Sequence, residues 1–503
     1  MEADENPITL RRWLWTVLIV LGLLRFFSLG LYPLADTTEA RYGEIARLMA
    51  VSGDWITPQI SAGVPFWGKP PLSAWLAAAA MKLFGINEFA ARLPSFLLSL
   101  LVIALVWSLA ARQHGRTSAL VAAVVLASSA LFFVSSGAVM TDPALLFGTT
   151  LCMVAFRQAL MLQGRQGRAW GYAFFAGLAV GLLAKGPVAL ILTGLPLAVW
   201  LLHQRRWRET WQRLPWLSGL VLTAALSVPW YWLAELKTPG FLEYFIVGEH
   251  WQRFIEPGWQ GDLYGGGHLR PRGTIWFYWL ECALPWSLLL PLRLFSREGR
   301  RRLQEQPPWR DERQVYLLAW ALTPLLFFTA ARNILPTYVL TALPAFALLS
   351  GEWLHEKDLS QATLRWGSAG MLLLIGAILA VVVGLGIGPA ERSHKQLVAT
   401  YHRERMLDPQ PVTRLLYLFH RPYSAEFYSE GNAALIETLP ELEQLLIDDG
   451  SSYVVVEKGR WAQVPNTLTA RFLKLDENKW FYLLREKSTM TEGKTIPPHV
   501  YPK

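Results

Sequence analysis

The fold class is decided by two long apolar runs that follow each other along the chain. Residues 92–137 read RLPSFLLSLLVIALVWSLAARQHGRTSALVAAVVLASSALFFVSSG. Each run is long enough to cross a bilayer, which takes roughly 20 apolar residues in a helix. A short charged stretch from Arg112 to Arg116 separates them. The pattern predicts two membrane-crossing helices joined by a short polar turn.

Apolar runs of this kind recur from Trp13 to Gly388. The 503 residues are 53% hydrophobic and only 17% charged, whereas a soluble domain is about 25% charged. The chain is therefore predicted to be a polytopic α-helical membrane protein with about 11–13 transmembrane helices. The individual spans that we count are 13–33, 92–112, 116–137, 142–162, 170–184, 187–203, 215–235, 274–295, 314–330, 335–351 and 365–388.

The basic residues are concentrated in alternate loops between these spans. The net charge of +9 could indicate a nucleic-acid partner, but short Arg-rich loops on one side are what the positive-inside rule explains. We therefore predict a cytoplasmic N-terminus and no nucleic-acid partner. The cytoplasmic set contains Arg11, Arg12, Arg112, Arg116, Arg165, Arg168, Arg205, Arg206, Arg208, Arg213 and residues 293–302. The opposite loops are 34–91, 138–141, 185–186, 236–273 and 331–334.

The composition changes beyond Gly388. Residues 389–503 are charged, with short strand-like runs such as Tyr453–Glu457 and a helix-like run at Leu439–Asp448. We predict a transmembrane domain over 1–388, with long outer loops at 34–91 and 236–273, and a small outer α/β domain over 389–503. The two cysteines, Cys152 and Cys282, fall inside apolar segments, which favours core residues over a disulfide or a metal site.

Nearly all distinctive polar residues lie in or beside the loops opposite the Arg-rich ones. Ionisable groups held near hydrocarbon are costly and indicate function by default. A set that faces one compartment favours a single active site. The candidates are Asp36, Glu39, Arg41, Tyr42, Lys69, Asp142, Lys185, His250, Arg253, His268, Arg332 and Tyr338.

Most of these residues also have a purely structural interpretation. Asp36 with Glu39 three residues later fits a capping box, and Asp142 before Pro143 fits a routine helix start. A lysine at a membrane edge often extends its ammonium group to the interface. A histidine without close ligand spacing is usually only hydrogen-bonded, and Tyr338 fits an interfacial aromatic. The placement of the whole set on one face is what favours function.

Several cations with two or three carboxylates at an outer membrane face suit a lipid-borne phosphate substrate. Arginine and lysine would hold the phosphate and stabilise it as it leaves with full charge. A carboxylate would deprotonate an acceptor hydroxyl or stabilise positive charge at a sugar carbon. No Gly-rich nucleotide-binding motif is present, which favours a donor carried on a lipid.

The motifs on these loops together resemble the membrane glycosyltransferases of the dolichyl-phosphate-mannose–protein mannosyltransferase superfamily, which have the GT-C fold. The nearest branch resembles the bacterial lipid A aminoarabinose transferases. The motifs run in family order across almost the entire membrane part, and the C-terminal domain matches only loosely. They are Thr38 to Tyr42 with Glu44 and Ile45, Ser52 to Trp55, Lys69-Pro70, Phe84-Gly85, Asp142-Pro143, Lys185-Gly186, Glu249-His250 with Gln252 to Phe254, Gly267-His268, Pro285-Trp286 and Leu335 to Tyr338.

The resemblance implies transfer of one sugar, with inversion, from an undecaprenyl phosphate donor to a periplasmic acceptor at the inner membrane. The acceptor would be lipid A or another envelope glycan. Carried over by position, Lys69 and Arg332 would lie near the carrier phosphate and Tyr338 would position it. Lys185 is a further phosphate candidate. Arg41 and Tyr42 would belong to the first-loop site, and Asp142 would be the second acidic residue.

Two positions depart from the family pattern. Thr38 stands where the aminoarabinose enzymes have Asp, and the nearest acid is Asp36. Gly68 stands where they have the Glu that pairs with the loop histidine at a metal site, so no metal site is assigned to His250. A divalent metal is neither required nor excluded. The catalytic candidates are Asp36 and Asp142, with Glu39 assisting.

Two other classes of function stay open. A transporter or lipid flippase would need polar groups near the bilayer midplane and on both faces, and the predicted spans are nearly free of them. A non-catalytic envelope assembly protein would keep its function without the Asp36 carboxylate.

Overall fold

The computed structural model describes residues 7–256, 259–265, 269–288, 290–291, 295, 297–356, 361–384, 388, 390–407, 413–447 and 451–487. The chain divides into two units. The first comprises Met1–Tyr32 and Tyr42–Leu385, and the second comprises Pro33–Arg41 and Gly386–Lys503. The division falls near the predicted boundary at 388, but it assigns Pro33–Arg41 to the second unit rather than to a loop of the first.

The first unit is helical. Among the described residues, four helices are long and apolar enough to cross a membrane, namely α4, α6, α7 and α10. The helices are α1 (Pro7–Ser28), α2 (Thr38–Ser52, which begins in the second unit), α3 (Leu72–Phe84), α4 (Glu88–Ser128), α5 (Ala130–Ser135), α6 (Asp142–Met161), α7 (Gly164–Lys185), α8 (Val188–Gln204), α9 (Trp207–Arg213), α10 (Trp216–Lys237), α11 (Arg253–Ile255), α12 (Thr274–Cys282), α13 (Arg297–Glu305), α14 (Glu312–Thr329), α15 (Leu343–Glu356) and α16 (Gln361–Gly384). A π-helix covers Glu243–Gln252, and 3₁₀ turns cover Trp286–Leu288, Pro308–Arg310 and Pro336–Ala342; a short hairpin pairs β1 (Gln59–Ser61) with β2 (Val64–Pro65).

The two apolar runs that decide the fold class form α4, which is broken where the sequence predicts a turn. Gly115 has φ +80° inside the helix, a left-handed conformation that glycine adopts without steric cost. The second run ends earlier than predicted, because α4 stops at Ser128 and α5 follows.

Helices α6 and α7 form an antiparallel pair through glycine contacts. A Cβ atom at Gly148 would lie 2.8 Å from the backbone nitrogen of Gly181, and one at Gly177 would lie 2.8 Å from the Cys152 sulfur. Small residues let the backbones of membrane helices approach closely. This approach brings Asp142, the first residue of α6, to Lys185, the last residue of α7. We call this the Asp142 end of the helical unit.

The core of the first unit packs large aromatic rings between α6, α8 and α14. Phe156 stacks on Tyr316 with ring centroids 6.1 Å apart, and Trp200 meets Tyr316 edge-on at 5.9 Å. Both cysteines are buried and free, as the apolar context of Cys152 and Cys282 predicts.

The second unit is built on a five-stranded sheet with the order β4-β3-β5-β7-β6. Strands β3, β4 and β5 are parallel, and β7 runs antiparallel to both β5 and β6. Alternate residues of β3 pack on opposite faces: Leu416 and Leu418 in one apolar cluster, Leu415 and Tyr417 in another. The elements are α17 (Lys395–Leu407), β3 (Thr413–Leu418), α18 (Tyr423–Tyr428), β4 (Ala433–Ile436), α19 (Leu439–Leu445), β5 (Ser451–Glu457), α20 (Lys458–Trp461), α21 (Asn466–Thr469), β6 (Phe472–Glu477) and β7 (Phe481–Glu486).

Candidate active site

The Glu249 carboxylate is shared by two cations at the Asp142 end. It lies 3.2 Å from the Lys69 ammonium and 2.9 Å from the Arg253 guanidinium. The Tyr244 hydroxyl donates a hydrogen bond to the same carboxylate at 3.3 Å, and Arg253 lies 3.4 Å from Asp262. Glu249 is supplied by the π-helix and Lys69 by the loop after β2, so two loop regions build this cluster.

Opposite charges outweigh desolvation in this cluster. Burial raises the pKa of Glu249. The nearby charges of Lys69 and Arg253 together lower it by more than burial raises it, so the pKa lies below its usual range. Burial lowers the pKa of Arg253, but Glu249, Asp262 and the Tyr338 phenol raise it, and the net change is upward. Glu249 and Arg253 are therefore both ionised at neutral pH.

A second ion pair joins the ends of α6 and α7. The Lys185 ammonium donates to the Asp142 carboxylate at 2.6 Å, and both side chains are largely buried. The ammonium also lies 4.9 Å from the centre of the Tyr338 ring. The helix begins one residue earlier than the structural interpretation places it. Thr141 is at the N-cap position without a side-chain capping hydrogen bond, and Asp142 is in the first turn. The Asp142 carboxylate therefore faces a cation and does not cap its helix.

His250 connects the π-helix to the end of α7. Its Nδ1 lies 2.7 Å from the Phe245 carbonyl oxygen and its Nε2 lies 3.1 Å from the Lys185 carbonyl oxygen. Burial lowers the pKa of His250 despite these carbonyls, and a neutral ring can donate to only one of them. The side chain holds backbone in place at the site.

A metal site does not fit the residues around His250. Both ring nitrogens face carbonyl oxygens, and no cluster of three or more His, Cys, Asp or Glu side chains occurs within the described part of the chain. A side chain at position 68 would require the Phe66 ring to move, because a Cβ atom there would lie 2.9 Å from that ring.

Asp36 lies in the second unit, where it binds the start of α18. Its carboxylate accepts hydrogen bonds from the Ser424 amide, at 3.0 Å, and from the Ser424 hydroxyl. Its own amide donates to the Arg392 carbonyl at 2.8 Å. Burial raises the pKa of Asp36 to about 6, against the lowering effect of the Ser424 hydrogen bonds. The capping-box interpretation would require the Asp36 carboxylate to cap α2. It binds the start of α18 instead.

The remaining candidates are placed as follows. Glu39 and Arg41 belong to the second unit, where Arg41 hydrogen-bonds the Tyr423 phenol. Tyr42 lies edge-on to Phe66 in the first unit, with ring centroids 6.1 Å apart. The Arg332 side chain is exposed, while its carbonyl accepts a hydrogen bond from the Arg270 amide at 2.8 Å. His268 lies outside the described residues.

Glu249 was not predicted as a site residue, although it precedes His250 in the outer loop at 236–273 and belongs to one of the family motifs. A usable signal was its position four residues before Arg253, a spacing that places two side chains on one helical face. Asp262 was also missed, because nothing local connects it to Arg253.

Comparison with known proteins agrees with this architecture. Residues 9–245 match the family model described as dolichyl-phosphate-mannose-protein mannosyltransferase. The undecaprenyl phosphate-alpha-4-amino-4-deoxy-L-arabinose arabinosyl transferase of Erwinia tasmaniensis is 30% identical over 77% of this chain and 67% of the relative. This chain belongs to the same family of GT-C membrane glycosyltransferases. The predicted family is thus confirmed.

Another family member, the arabinosyl transferase of the same name from Pseudomonas aeruginosa, is 33% identical over 69% of this chain and 60% of the relative. The chain thus spans well under two thirds of that protein's length. The GT-C fold is confirmed by the crystal structure of ArnT from Cupriavidus metallidurans bound to undecaprenyl phosphate. It covers 96% of this chain and 99% of that one, with a TM-score of 0.77 and 19% identity. This GT-C chain is a membrane protein, as predicted.

Proposed function

We propose that this protein is a glycosyltransferase of the bacterial inner membrane. It transfers one sugar from an undecaprenyl phosphate carrier to an acceptor of the cell envelope, such as lipid A or another glycan. The N-terminus is cytoplasmic, whereas the Asp142 end and the second unit face the periplasm. The observation that carries the proposal is the convergence of Lys69, Arg253 and Lys185, with their carboxylate partners, at one end of an apolar helical unit.

In this proposal Lys69 and Arg253 hold the carrier phosphate. Both already share one carboxylate, Glu249, so a phosphate oxygen can replace part of that interaction without leaving a buried cation unpaired. Arginine binds phosphate through two parallel N–H donors, and lysine acts as a point charge. Tyr338 lies within electrostatic range of Arg253 and beside the Lys185 ammonium, which suits the positioning role implied by its family motif.

Arg332 and His268 remain predicted phosphate or substrate contacts. Arg253 has stronger support than Arg332, because it is partly buried within the charged cluster whereas the Arg332 side chain is exposed.

Transfer with inversion requires an acceptor oxygen to attack the anomeric carbon of the sugar. The bond between that carbon and the phosphate oxygen breaks, and its electron pair stays with undecaprenyl phosphate. Lys69 and Arg253 stabilise the charge on that leaving group. Asp142 takes the proton of an acceptor hydroxyl or stabilises positive charge at the sugar, and Lys185 holds its carboxylate in place. An acceptor that is itself a phosphate would need little help from a base.

The names of the relatives indicate a 4-amino-4-deoxy-L-arabinose donor. We extend to this chain only the class of donor, a monosaccharide on undecaprenyl phosphate, because Thr38 and Gly68 depart from the pattern of those enzymes. Asp36 remains a predicted catalytic acid. Its Ser424 contacts favour a positioning role instead, with Glu39 assisting the first-loop site.

The test is mass spectrometry of lipid A and undecaprenyl phosphate sugars from cells with the gene, without it, and with Lys69→Ala. Lys82→Ala is the matched control, because Lys82 is exposed on α3 and outside the cluster. We expect the donor to accumulate in the deletion and in Lys69→Ala but not in Lys82→Ala. A mass change on lipid A would identify both sugar and acceptor.

Donor accumulation with unchanged lipid A would keep the transferase proposal and move the acceptor search to other envelope glycans. Unchanged pools in both the deletion and Lys69→Ala would overturn the proposal and favour the transporter alternative.

A further inference from the structure

A groove lined by both apolar and basic residues lies at the opposite end of the helical unit from Asp142. It has a volume of about 840 Å³ and lies between the α6–α7 connection and the start of α10, with α9 beside it. Residues that matter for its chemistry are Arg168, Gln212, Arg213, Trp216 and Ser218. Nothing in the proposed transfer reaction uses this region.

The groove is one membrane thickness away from the charged cluster. Asp142 begins α6 and Lys185 ends α7, so Met161 and Gly164 mark the other end of this pair. A 20-residue helix is about 30 Å long, the hydrophobic thickness of a bilayer. The groove therefore lies where α6, α7 and α10 leave the hydrocarbon, on the side of the Arg-rich loops.

The described side chains that line the groove carry positive charge and no negative charge. Arg168 and Arg213 both line it, and no Asp or Glu is among its described lining residues. Arg213 makes one long hydrogen bond, to the Leu162 carbonyl at 3.4 Å. Arg168 lies 5.9 Å from the centre of the Tyr172 ring. The neighbouring acid Glu209 pairs with Arg206 instead. Arg168 also hydrogen-bonds the Tyr172 phenol. Since neither guanidinium group pairs with a lining carboxylate in the described part of the groove, both keep donors for an anion.

Polar and aromatic groups around the two arginines complete a site for a head group. The Trp216 indole N–H is buried and has no hydrogen-bond partner in the described part of the chain. The Tyr172 and Ser218 hydroxyls are 2.9 Å apart and connect α7 to α10. Trp211 stacks on Trp216 at 5.4 Å and is 68% exposed. Exposed tryptophans beside basic residues are typical of the level at which lipid head groups lie.

We propose that this groove binds the phosphate head group of an anionic glycerophospholipid from the cytoplasmic leaflet. Arg168 and Arg213 contact the phosphate, while the acyl chains lie along the exposed apolar surface of α10, where Leu217 is 82% exposed. Basic pockets between membrane helices on this side recognise anionic lipids in the same way. The proposal is independent of the transferase reaction, because it uses none of the residues at the Asp142 end.

The experiment is native mass spectrometry of the full chain released from detergent micelles containing phosphatidylglycerol or phosphatidylcholine. The test variant is Arg168→Gln with Arg213→Gln. The matched control is Arg165→Gln with Arg208→Gln, which removes the same charge from exposed residues outside the groove. A third variant, Arg168→Lys with Arg213→Lys, keeps the charge and covers the case in which the glutamine pair unfolds the protein.

We expect the wild-type chain and the control to retain phosphatidylglycerol in preference to phosphatidylcholine. The test variant should bind phosphatidylglycerol about 10- to 30-fold more weakly, since each basic residue near an anionic surface contributes a few-fold to affinity. The lysine pair should keep most of the binding, because the charge remains.

Three outcomes would overturn the proposal. If the wild-type chain retains phosphatidylcholine as well as phosphatidylglycerol, the charge of the head group does not determine binding. An equal loss in the control pair would show diffuse surface attraction instead of a groove site. Displacement of the lipid by millimolar inorganic phosphate, with no lipid preference, would identify a site for free phosphate.

Discussion

Among the described residues of the helical unit, two carboxylates are each shared by two cations, one at either end. At the Asp142 end, Glu249 binds Lys69 and Arg253. At the other end, Glu312 binds Arg157 and, at 2.8 Å, Arg206. The same electrostatic arrangement is thus built twice, and its surroundings decide what it does.

The Glu312 cluster connects helices. Arg157 is on α6, Glu312 begins α14, and the Trp200 indole of α8 donates to the Glu312 carbonyl at 3.2 Å. The Glu249 cluster is held by loops and a π-helix, the kind of scaffold on which binding residues are usually placed. We infer that the first cluster stabilises helix packing and the second exchanges partners with substrate.

Removing one cation from each cluster tests whether the two clusters have different roles. We expect Arg253→Gln to lower sugar transfer by about 10²- to 10³-fold, the usual effect of removing one group that stabilises developing charge. Arg206→Gln should leave transfer within about twofold, because Arg206 is partly exposed and screened. The measurement is transfer in membranes at matched expression. Similar losses in the two variants would refute the assignment of different roles.

Removing the Glu312 carboxylate should have the opposite effect, lowering stability and leaving activity unchanged. Glu312→Gln leaves Arg157 buried without a counter-charge, which costs about 3–5 kcal/mol of stability. We expect a clear fall in the thermal unfolding temperature in detergent, with activity per folded molecule unchanged. Glu209→Gln is the matched control, because Glu209 makes only a partly exposed ion pair. If Glu312→Gln unfolds at the same temperature as the wild-type protein, the Glu312 cluster does not stabilise helix packing.

Much of the helical unit could be predicted because it depends on local properties of the chain. The apolar runs predicted membrane helices, and the charged stretch between Arg112 and Arg116 predicted the break that occurs at Gly115. The pairing of Lys69 with Glu249 could not be predicted, since 180 residues separate them and only the folded loops bring them together. The same limit applied to Asp36, whose local context suggests a helix cap while its partner, Ser424, is 388 residues away.

The contact between Asp36 and Ser424 gives a smaller effect that separates two roles for Asp36. If Asp36 acts by holding α18, Ser424→Ala and Asp36→Ala should both increase hydrogen exchange of residues 423–428 by about 10-fold, since each removes hydrogen bonds at the start of α18 that are worth about 0.5–1.5 kcal/mol apiece. Sugar transfer should then fall by a similar factor in both variants.

A catalytic Asp36 would give a different result. Asp36→Asn would then lose about 10²- to 10⁴-fold in transfer, the contribution of a general base, while Ser424→Ala would lose far less. Asp36→Glu provides the control for charge, because it keeps the carboxylate but shifts it by one methylene group.

The contribution of Asp36 to the stability of α18 should depend on pH, and this is the smallest of the predicted effects. The pKa of Asp36 rises from 3.8 to about 6 on folding, so between these values the folded state binds the proton more tightly than the unfolded state. The stability contributed by Asp36 therefore falls as pH rises through this window, and its penalty is complete above pH 6. Acidification from pH 7 to 5 should reduce opening of α18 by about tenfold.

This change is measured as the difference in hydrogen exchange at residues 423–428 between the wild-type chain and Asp36→Asn. The subtraction removes the intrinsic pH dependence of exchange and the effect of other carboxyl groups. Protection that decreases on acidification in the wild type alone would show that Asp36 stabilises α18 through its charge and that its pKa is lowered. The absence of any difference would separate Asp36 from the stability of α18 and return it to the catalytic candidates.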